Sequence, residues 1–183
     1  IEDLIKVVSI FEDLDDSAIR QISSLVTEKR VPRNTILFRE GDPGDELLII
    51  KSGLVRIYRM EKSKEITLAL FRDGDYFGEM SLLGDEPDRS TTAETLEDSV
   101  LFSLSRQDFT RFLEQYPSIC LQLLKLTISR LRKANDQIRD LTFFNVRSRV
   151  IKTILRLAEE HGIVRKQGTL IRVKLTHQQL ANM

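Results

Sequence analysis

The sequence is poor in cysteine and histidine, the residues that most often hold metals. Cys120 is the only cysteine among 183 residues, and His161 and His177 are the only histidines. A single thiol cannot close an internal disulfide or hold a zinc or iron–sulfur site alone, and neither histidine lies in a ligand-like cluster. We therefore expect no obligatory cofactor, no metal, a reducing cytoplasmic location, and Cys120 packed as a small buried hydrophobe.

Long apolar runs are also missing. Apolar runs such as residues 47–50 are only a few residues long, whereas a membrane-spanning helix needs about 20, and no leader typical of secretion opens the chain. The sequence has no glycine-rich phosphate-binding loop ending in lysine and no Cys/His or Ser/His arrangement typical of a nucleophile and its base. These absences favour a protein that is not an enzyme and has no membrane partner.

Glycine and proline are concentrated in the first two-thirds of the chain. Six of the eight glycines lie between residues 41 and 84, and all four prolines lie at or before Pro117. The turns separate short apolar or alternating runs, and strands with turns every 8–12 residues or so are typical of a small β sandwich or barrel. Helical spacing dominates before and after this region, so we predict an α+β fold.

A long helix is predicted from Ser118 to about Asn145, where glycine and proline are absent. Within it, apolar residues and one asparagine recur at alternating steps of four and three, which is typical of a coiled-coil stripe. A second copy of the same helix is its simplest partner, so we predict a homodimer. The stripe, which we call the seam, consists of Leu124, Ile128, Leu131, Asn135 and Ile138.

The net charge of zero hides a basic C-terminal segment. Residues 147–183 contain eight lysines and arginines against two glutamates, a net charge of +6, which leaves −6 on the rest of the chain. A basic segment on an acidic body indicates a second domain with a polyanionic partner. In this segment we predict a helix ended by Gly162, a hairpin with its turn at Gly168 and a strand over 171–175, and a last helix capped by Thr176.

The residues with the clearest chemistry lie between positions 75 and 93, a segment that we call the cassette. Its glycine allows a backbone to approach a ligand closely, and the residues that follow can form a helical turn whose N–H groups attract an anion. Its arginine offers a fork suited to phosphate, two hydroxyl residues add donors, and a glutamate can accept from a sugar hydroxyl. The sequence thus predicts a pocket for a ligand with a phosphate and a ribose. The residues concerned are Gly78, Arg89, Ser90, Thr91 and Glu79.

The same residues carry a resemblance to a known family. Phe77-Gly78-Glu79, followed ten residues after the glutamate by Arg89-Ser90, resembles the phosphate-binding cassette of cyclic nucleotide-binding domains. The turns in residues 38–53 are similar to that family's early β-roll. The long helix, the helix after it and residues 175–181 resemble the dimerisation helix and the helix-turn-helix entry of the CRP/FNR transcription regulators. The resemblance covers nearly the whole chain.

The resemblance implies three parts. An N-terminal double-stranded β-helix, the jelly-roll-like β-roll that binds the effector, is expected over 1–117. A long dimerisation helix is expected over 118–145. The start of a winged helix-turn-helix, incomplete in this chain, is expected over 146–183.

The resemblance also implies roles for the cassette residues. Glu79 is expected on the ribose 2′-hydroxyl, Arg89 on the cyclic phosphate and Ser90 on the same phosphate, while Gly78 and Met80 contribute backbone. The family's cAMP receptors read adenine with hydroxyl residues on the long helix. Here those positions hold Ala134 and Asn135, and this departure leaves adenine specificity open.

The function implied is that of a ligand-responsive transcription regulator. Cyclic AMP, bound between the β-roll and the long helix, would act as an allosteric effector that orients the DNA-binding domains of a homodimer. The partners expected are a pseudo-palindromic operator, with Thr176, His177 and Gln178 on the DNA backbone, and RNA polymerase. Two alternatives stay open: the same fold with a non-nucleotide effector or none, and a cyclic nucleotide module of a larger signalling protein.

Plainer interpretations of single residues stay open as well. Glu79 and Arg89 can form an ordinary structural salt bridge. Asn135 can fix the register of a dimer in place of, or in addition to, a ligand contact. The basic residues after 147 can be a solvated face.

Overall fold

A computed structural model describes residues 1–6, 8–62 and 64–183. The chain divides into two compact units, Ile1–Leu124 and Lys125–Met183, and the division falls inside a long helix. The domain limits expected from the sequence, after residues 117 and 145, stay predictions.

The first unit is built on two four-stranded sheets whose neighbouring strands are all antiparallel. The strands are β1 (Thr27–Val31), β2 (Ile36–Phe38), β3 (Glu46–Ser52), β4 (Val55–Glu61), β5 (Lys64–Phe71), β6 (Tyr76–Phe77), β7 (Thr92–Thr95) and β8 (Ser99–Ser105). They pair in the orders β1-β8-β3-β6 and β2-β7-β4-β5. Glycine turns separate many of these short strands, and this confirms the predicted β-roll.

Alternation along the strands directs one face of each sheet into a shared core. On β4, Val55 and Ile57 are buried, and Ala93 on β7 lies directly opposite Ile57. Because successive side chains of a strand point to opposite faces, this register places the three residues on one face of their sheet, where they join apolar residues of the other sheet. The core consists of Leu48, Ile50, Val55, Ile57, Phe77, Ala93 and Leu101.

Helices flank the strands of the first unit in chain order. They are α1 (Glu2–Ile5), α2 (Asp16–Leu25), α3 (Met80–Leu83), α4 (Arg106–Gln115) and the first part of α5 (Ser118–Phe143). The short helix α3 is the helical turn predicted within the cassette. The helix α4 begins where the Ser105 hydroxyl accepts from the Asp108 N–H at 3.1 Å, and it buries Phe109 and Phe112.

The second unit contains the rest of α5, then α6 (Val146–His161), the hairpin of β9 (Gly162–Arg165) and β10 (Gly168–Ile171), and α7 (His177–Ala181). Gly162 ends α6, and Thr176 caps α7 with a capping box, as predicted. The predicted strand over 171–175 is wrong, because β10 ends at Ile171, where its register with the four-residue β9 runs out. An alternating sequence does not form a strand unless a partner strand reaches it.

Cys120 is exposed on α5, so the prediction that it is buried is wrong. The neighbouring Ile119, Gln122 and Leu123 take the buried face of the helix, which turns position 120 away from the core. Among the described residues, no helix has the length and apolar character needed to cross a membrane.

Candidate nucleotide-binding site

Two loops of the first unit are held against each other around the cassette. The Gly41 N–H donates to the Arg89 carbonyl at 2.8 Å, and the Arg89 N–H donates to the Asp42 carbonyl at 2.8 Å. The Gly44 N–H donates to the Pro87 carbonyl at 2.9 Å. These bonds fix the backbone of Arg89 at a defined position before β7.

The side chain of Arg89 is directed into the protein and is only 4 % exposed. Its Nη1 donates to the Gly78 carbonyl and to the Ser81 hydroxyl, both at 3.1 Å, and its Nη2 donates to the Glu46 carbonyl at 3.0 Å. The guanidinium carbon lies 4.2 Å from the centroid of the Phe38 ring. The guanidinium is therefore placed by two carbonyls, a hydroxyl and an aromatic face.

One nitrogen of this guanidinium is left without a hydrogen-bond partner. The Nε atom of Arg89 is buried and has no hydrogen-bond partner in the described structure. Burial lowers the pKa of Arg89 from its ordinary value, and the charges of Glu46 and Asp45 oppose that shift. An arginine stays charged at neutral pH even so, and a buried cation with an unused donor is an environment that an anion would stabilise.

The other predicted cassette residues lie around Arg89. Gly78 has φ +90° and touches the guanidinium, and Glu79 is half-buried at the start of α3, where its charge acts to raise the pKa of Arg89. Met80 is exposed, and the exposed Ser90 donates to its sulfur at 3.6 Å.

Thr91 is half-buried in the same segment. Asn135 lies in the second unit, and its contact with a ligand stays a prediction.

Sequence reasoning missed three residues that position the arginine. Ser81 is buried and donates to the Gly78 carbonyl at 3.0 Å while accepting from Arg89. Glu46 supplies a carbonyl to Arg89, and Arg106 bonds the far end of α3. The Phe-Gly-Glu motif could have pointed to Ser81, two residues further on. No local signal links positions 46 and 106 to position 89, because strand order brings them together.

The side chain of Glu46 is anchored at the edge of this site. Burial alone raises the pKa of its carboxyl, but hydrogen bonds from Lys29, at 2.5 Å, and from Ser103 outweigh that effect and lower it. Glu46 is therefore held as a carboxylate at neutral pH, and its backbone is fixed where Arg89 needs an acceptor.

Replacing Gly78 by alanine should damage the site more than an alanine at a comparable glycine. A Cβ at Gly78 would lie 2.5 Å from Arg89 Nη1 and 3.1 Å from the Glu46 carbonyl oxygen. Gly41 has a similar φ of +85°, but nothing lies within 4 Å of its Cβ position. Both changes incur backbone strain of about 1–3 kcal/mol, and only Gly78→Ala adds a clash.

Denaturant unfolding of Gly78→Ala and Gly41→Ala measures this difference. We expect Gly78→Ala to be the less stable by about 1–3 kcal/mol, the cost of overpacking, and to lose ligand binding as well. Equal stability of the two variants would show that the close approach of Gly78 to Arg89 is unimportant.

The seam residues of α5 are exposed in the single chain. Leu124, Ile128, Leu131 and Ile138 are between 43 % and 61 % exposed although all are apolar. The 26 residues of α5 extend over about 39 Å at 1.5 Å per residue. The structure thus places the predicted seam on one continuous helix.

The predicted DNA-contacting residues lie at the start of α7. Thr176 accepts from the Gln179 N–H at 3.1 Å, and the Gln179 side chain accepts from the Thr176 N–H at 2.9 Å. His177 and Gln178 are exposed. Their contact with DNA stays a prediction.

The β-roll that holds a buried arginine beside a glycine turn and a short helix is the arrangement that the resemblance to cyclic nucleotide-binding domains implies. Residues 28–116 match the family model described as "Cyclic nucleotide-binding domain". The chain is 32% identical over 185 residues to the "CRP-like cAMP-activated global transcriptional regulator" of Mycobacterium tuberculosis, covering 100% of this chain and 81% of that protein.

Two further comparisons agree. The "Anaerobic regulatory protein" of Bacillus subtilis is 32% identical, with 87% of this chain and 68% of that protein covered. The solved structure of the c-di-GMP responsive global regulator CLP of Xanthomonas campestris has a TM-score of 0.81 at 27% identity, covering 92% of this chain and 84% of that one. The chain belongs to the CRP/FNR superfamily of transcription regulators, as the cassette, the long helix and the helix-turn-helix entry predicted.

Proposed function

We propose that this chain is a homodimeric transcription regulator whose β-roll binds a cyclic nucleotide, with cyclic AMP as the first choice. The observation that carries the proposal is Arg89, a buried and preorganised cation with an unused donor, in contact with Gly78 and near Glu79. A cyclic phosphate supplies the missing anion, and its ribose supplies a hydroxyl for the carboxylate.

The cassette residues would bind the nucleotide by distinct chemistry. Arg89 would donate to the phosphate through its fork, and charge-assisted bonds of this kind are the strong ones in proteins. Ser90 is exposed and can add a hydroxyl donor. Glu79 would accept from the ribose 2′-hydroxyl, and Gly78 and Met80 would line the phosphate with backbone. Thr91, the next residue, would supply a further hydroxyl donor to the phosphate.

The base is the least determined part of the ligand. Asn135 can hydrogen-bond a purine edge through its amide, and we propose it as the base-reading residue on α5. Cyclic AMP is preferred because two of the similar proteins are named for it, in Mycobacterium tuberculosis and Thermus thermophilus. A regulator named for c-di-GMP has the same fold, so a guanine nucleotide is the second candidate.

Dimerisation would bury the seam. Exposed apolar residues along one helix stripe are stabilised when a second copy covers them, and the seam provides four such residues per chain. A ligand would act by favouring one packing of the two helices, which requires that it bind the two arrangements with different affinity.

The segment 146–183 would be the start of the DNA-binding domain. Its net positive charge from residue 147 onward suits the phosphate backbone of DNA, and a twofold dimer matches a pseudo-palindromic operator with half-sites about one helical turn apart. RNA polymerase would be the further partner, in the cytoplasm.

Calorimetric titration of the chain with cyclic AMP, cyclic GMP and c-di-GMP tests the proposal. We expect micromolar or tighter binding of cyclic AMP at one site per chain. If a guanine nucleotide binds more tightly than cyclic AMP, that guanine nucleotide becomes the proposed effector. Binding of none of the three would overturn the nucleotide part of the proposal and favour a different effector for this cassette.

A further inference from the structure

Arg106, the first residue of α4, ties together two segments that are distant along the chain. Its Nη2 donates to the carbonyl oxygens of Gly44 at 2.6 Å and Ser81 at 2.7 Å, and its Nη1 donates to that of Leu82 at 3.2 Å. Its main-chain N–H donates to the Asp45 carbonyl at 2.6 Å. We call these four bonds the carbonyl clasp.

The clasp satisfies groups that the short helix α3 cannot satisfy itself. Within this turn, the N–H groups of Leu82, Leu83 and Gly84 donate to the carbonyls of Glu79 and Met80. The carbonyls of Ser81 and Leu82 come after the last of these acceptors, at the end of a helix where carbonyls lack intrahelical partners. Arg106 supplies their donors, so the end of α3 is hydrogen-bonded to the first residue of α4.

Ser81 belongs to both the nucleotide site and the clasp. Its hydroxyl accepts from Arg89 Nη1 at 3.1 Å, and its carbonyl accepts from Arg106. Gly44 is shared in the same way, since its carbonyl is in the clasp and a Cβ there would lie 2.8 Å from Arg89 Nε. Ser81 therefore links Arg89 directly to Arg106, the first residue of α4, and Gly44 lies next to the same two side chains.

We propose that Arg106 is a positioning residue that transmits occupancy of the cassette to α4. The inference rests on the proposed function, since it requires a ligand with a phosphate. A phosphate that bonds to the free Nε donor of Arg89 draws the guanidinium towards itself and away from the Gly78 carbonyl and the Ser81 hydroxyl. The α3 turn then loses its hydrogen bond to Arg89 and moves. The carbonyl clasp transmits this movement to the start of α4.

The chain beyond the clasp leads towards the seam. The helix α4 is anchored in the core by Phe109 and Phe112, so a shift at its first residue is carried by a rigid, packed element. After Tyr116 and Pro117 the chain enters α5, which carries the seam. Coupling of this kind is reciprocal, so a dimer arrangement that fixes α4 changes the nucleotide affinity in turn.

If Arg106 only holds the two segments together, its replacement changes the stability of the protein and nothing else. The two roles are separated by comparing Arg106→Gln with Arg111→Gln. The control removes the same charge from the same helix, but Arg111 is exposed and lies outside the clasp. Both variants and the parent chain are titrated with cyclic AMP and then compared by hydrogen–deuterium exchange with and without saturating cyclic AMP.

The exchange is followed at the cassette and at the first turn of α4, where the Arg106 N–H itself reports the clasp. In the parent and in Arg111→Gln, we expect the ligand to change exchange at both places. In Arg106→Gln saturated with cyclic AMP, we expect the change at the cassette to remain and the change at α4 to be lost.

A change at α4 that persists in Arg106→Gln at its parental size overturns the inference. If that variant does not fold, Arg106→Lys replaces it, because lysine keeps the charge but has one donor nitrogen where arginine has a fork; an undiminished change at α4 in Arg106→Lys overturns the inference equally. A parent chain that binds cyclic AMP without any change at α4 overturns this inference alone. A parent chain that binds none of cyclic AMP, cyclic GMP and c-di-GMP overturns the nucleotide part of the proposed function and the inference with it.

Discussion

Arg89→Lys is expected to lose cyclic AMP affinity by about a hundredfold or more, since two charge-assisted bonds contribute about 1.5–3 kcal/mol each. Lysine keeps the charge but cannot present the fork of donors, so the loss isolates geometry from net charge. Calorimetric titration of the variant measures it.

The same substitution at Arg72 is the matched control. Arg72 is exposed in the turn before β6, and its side chain is outside the cassette. Arg72→Lys should bind as the parent does. Arg89→Lys also leaves buried carbonyls short of a donor, so thermal unfolding must show that it is folded at the titration temperature. Parental affinity in folded Arg89→Lys would contradict the site assignment.

Leu131→Lys is expected to convert a dimer into a monomer. Each buried leucine contributes about 1.5–3 kcal/mol, and one substitution removes it from both copies and places two like charges against each other. We therefore expect the dimer to weaken by at least about a hundredfold. Analytical ultracentrifugation should show a fall from twice the chain mass to the chain mass of 21.2 kDa.

Ser129→Lys is the control for that experiment. It adds the same charge two residues away on α5, at an exposed position outside the seam. A dimer that persists in Leu131→Lys, or that is lost equally in Ser129→Lys, would show that the seam is not the interface.

Local features of the fold could be predicted because their causes are local. Thr176 caps α7 by interactions within a few residues of chain, and α6 ends at Gly162, a residue with low helix propensity. The cassette could be predicted for the same reason, since Gly78 and Glu79 are adjacent and the arginine follows at a fixed spacing. The exposure of Cys120 and the extent of β10 could not, because they depend on which helix face packs and on where a partner strand ends.

The surroundings of Arg89 could not be predicted from the sequence. Its acceptor on Glu46 is 43 residues away along the chain, and Arg106 reaches Gly44 across 62 residues. Such pairs are created by the order of strands in the two sheets, and the hydrophobic pattern that sets the strands says nothing about which polar side chains meet at their ends.

The most direct test of the account is a crystal structure of the chain grown with saturating cyclic AMP. We predict the cyclic phosphate within hydrogen-bonding distance of the Arg89 guanidinium and the ribose 2′-hydroxyl on the Glu79 carboxylate. A nucleotide bound elsewhere, with Arg89 still donating to Gly78, Ser81 and Glu46, would contradict it.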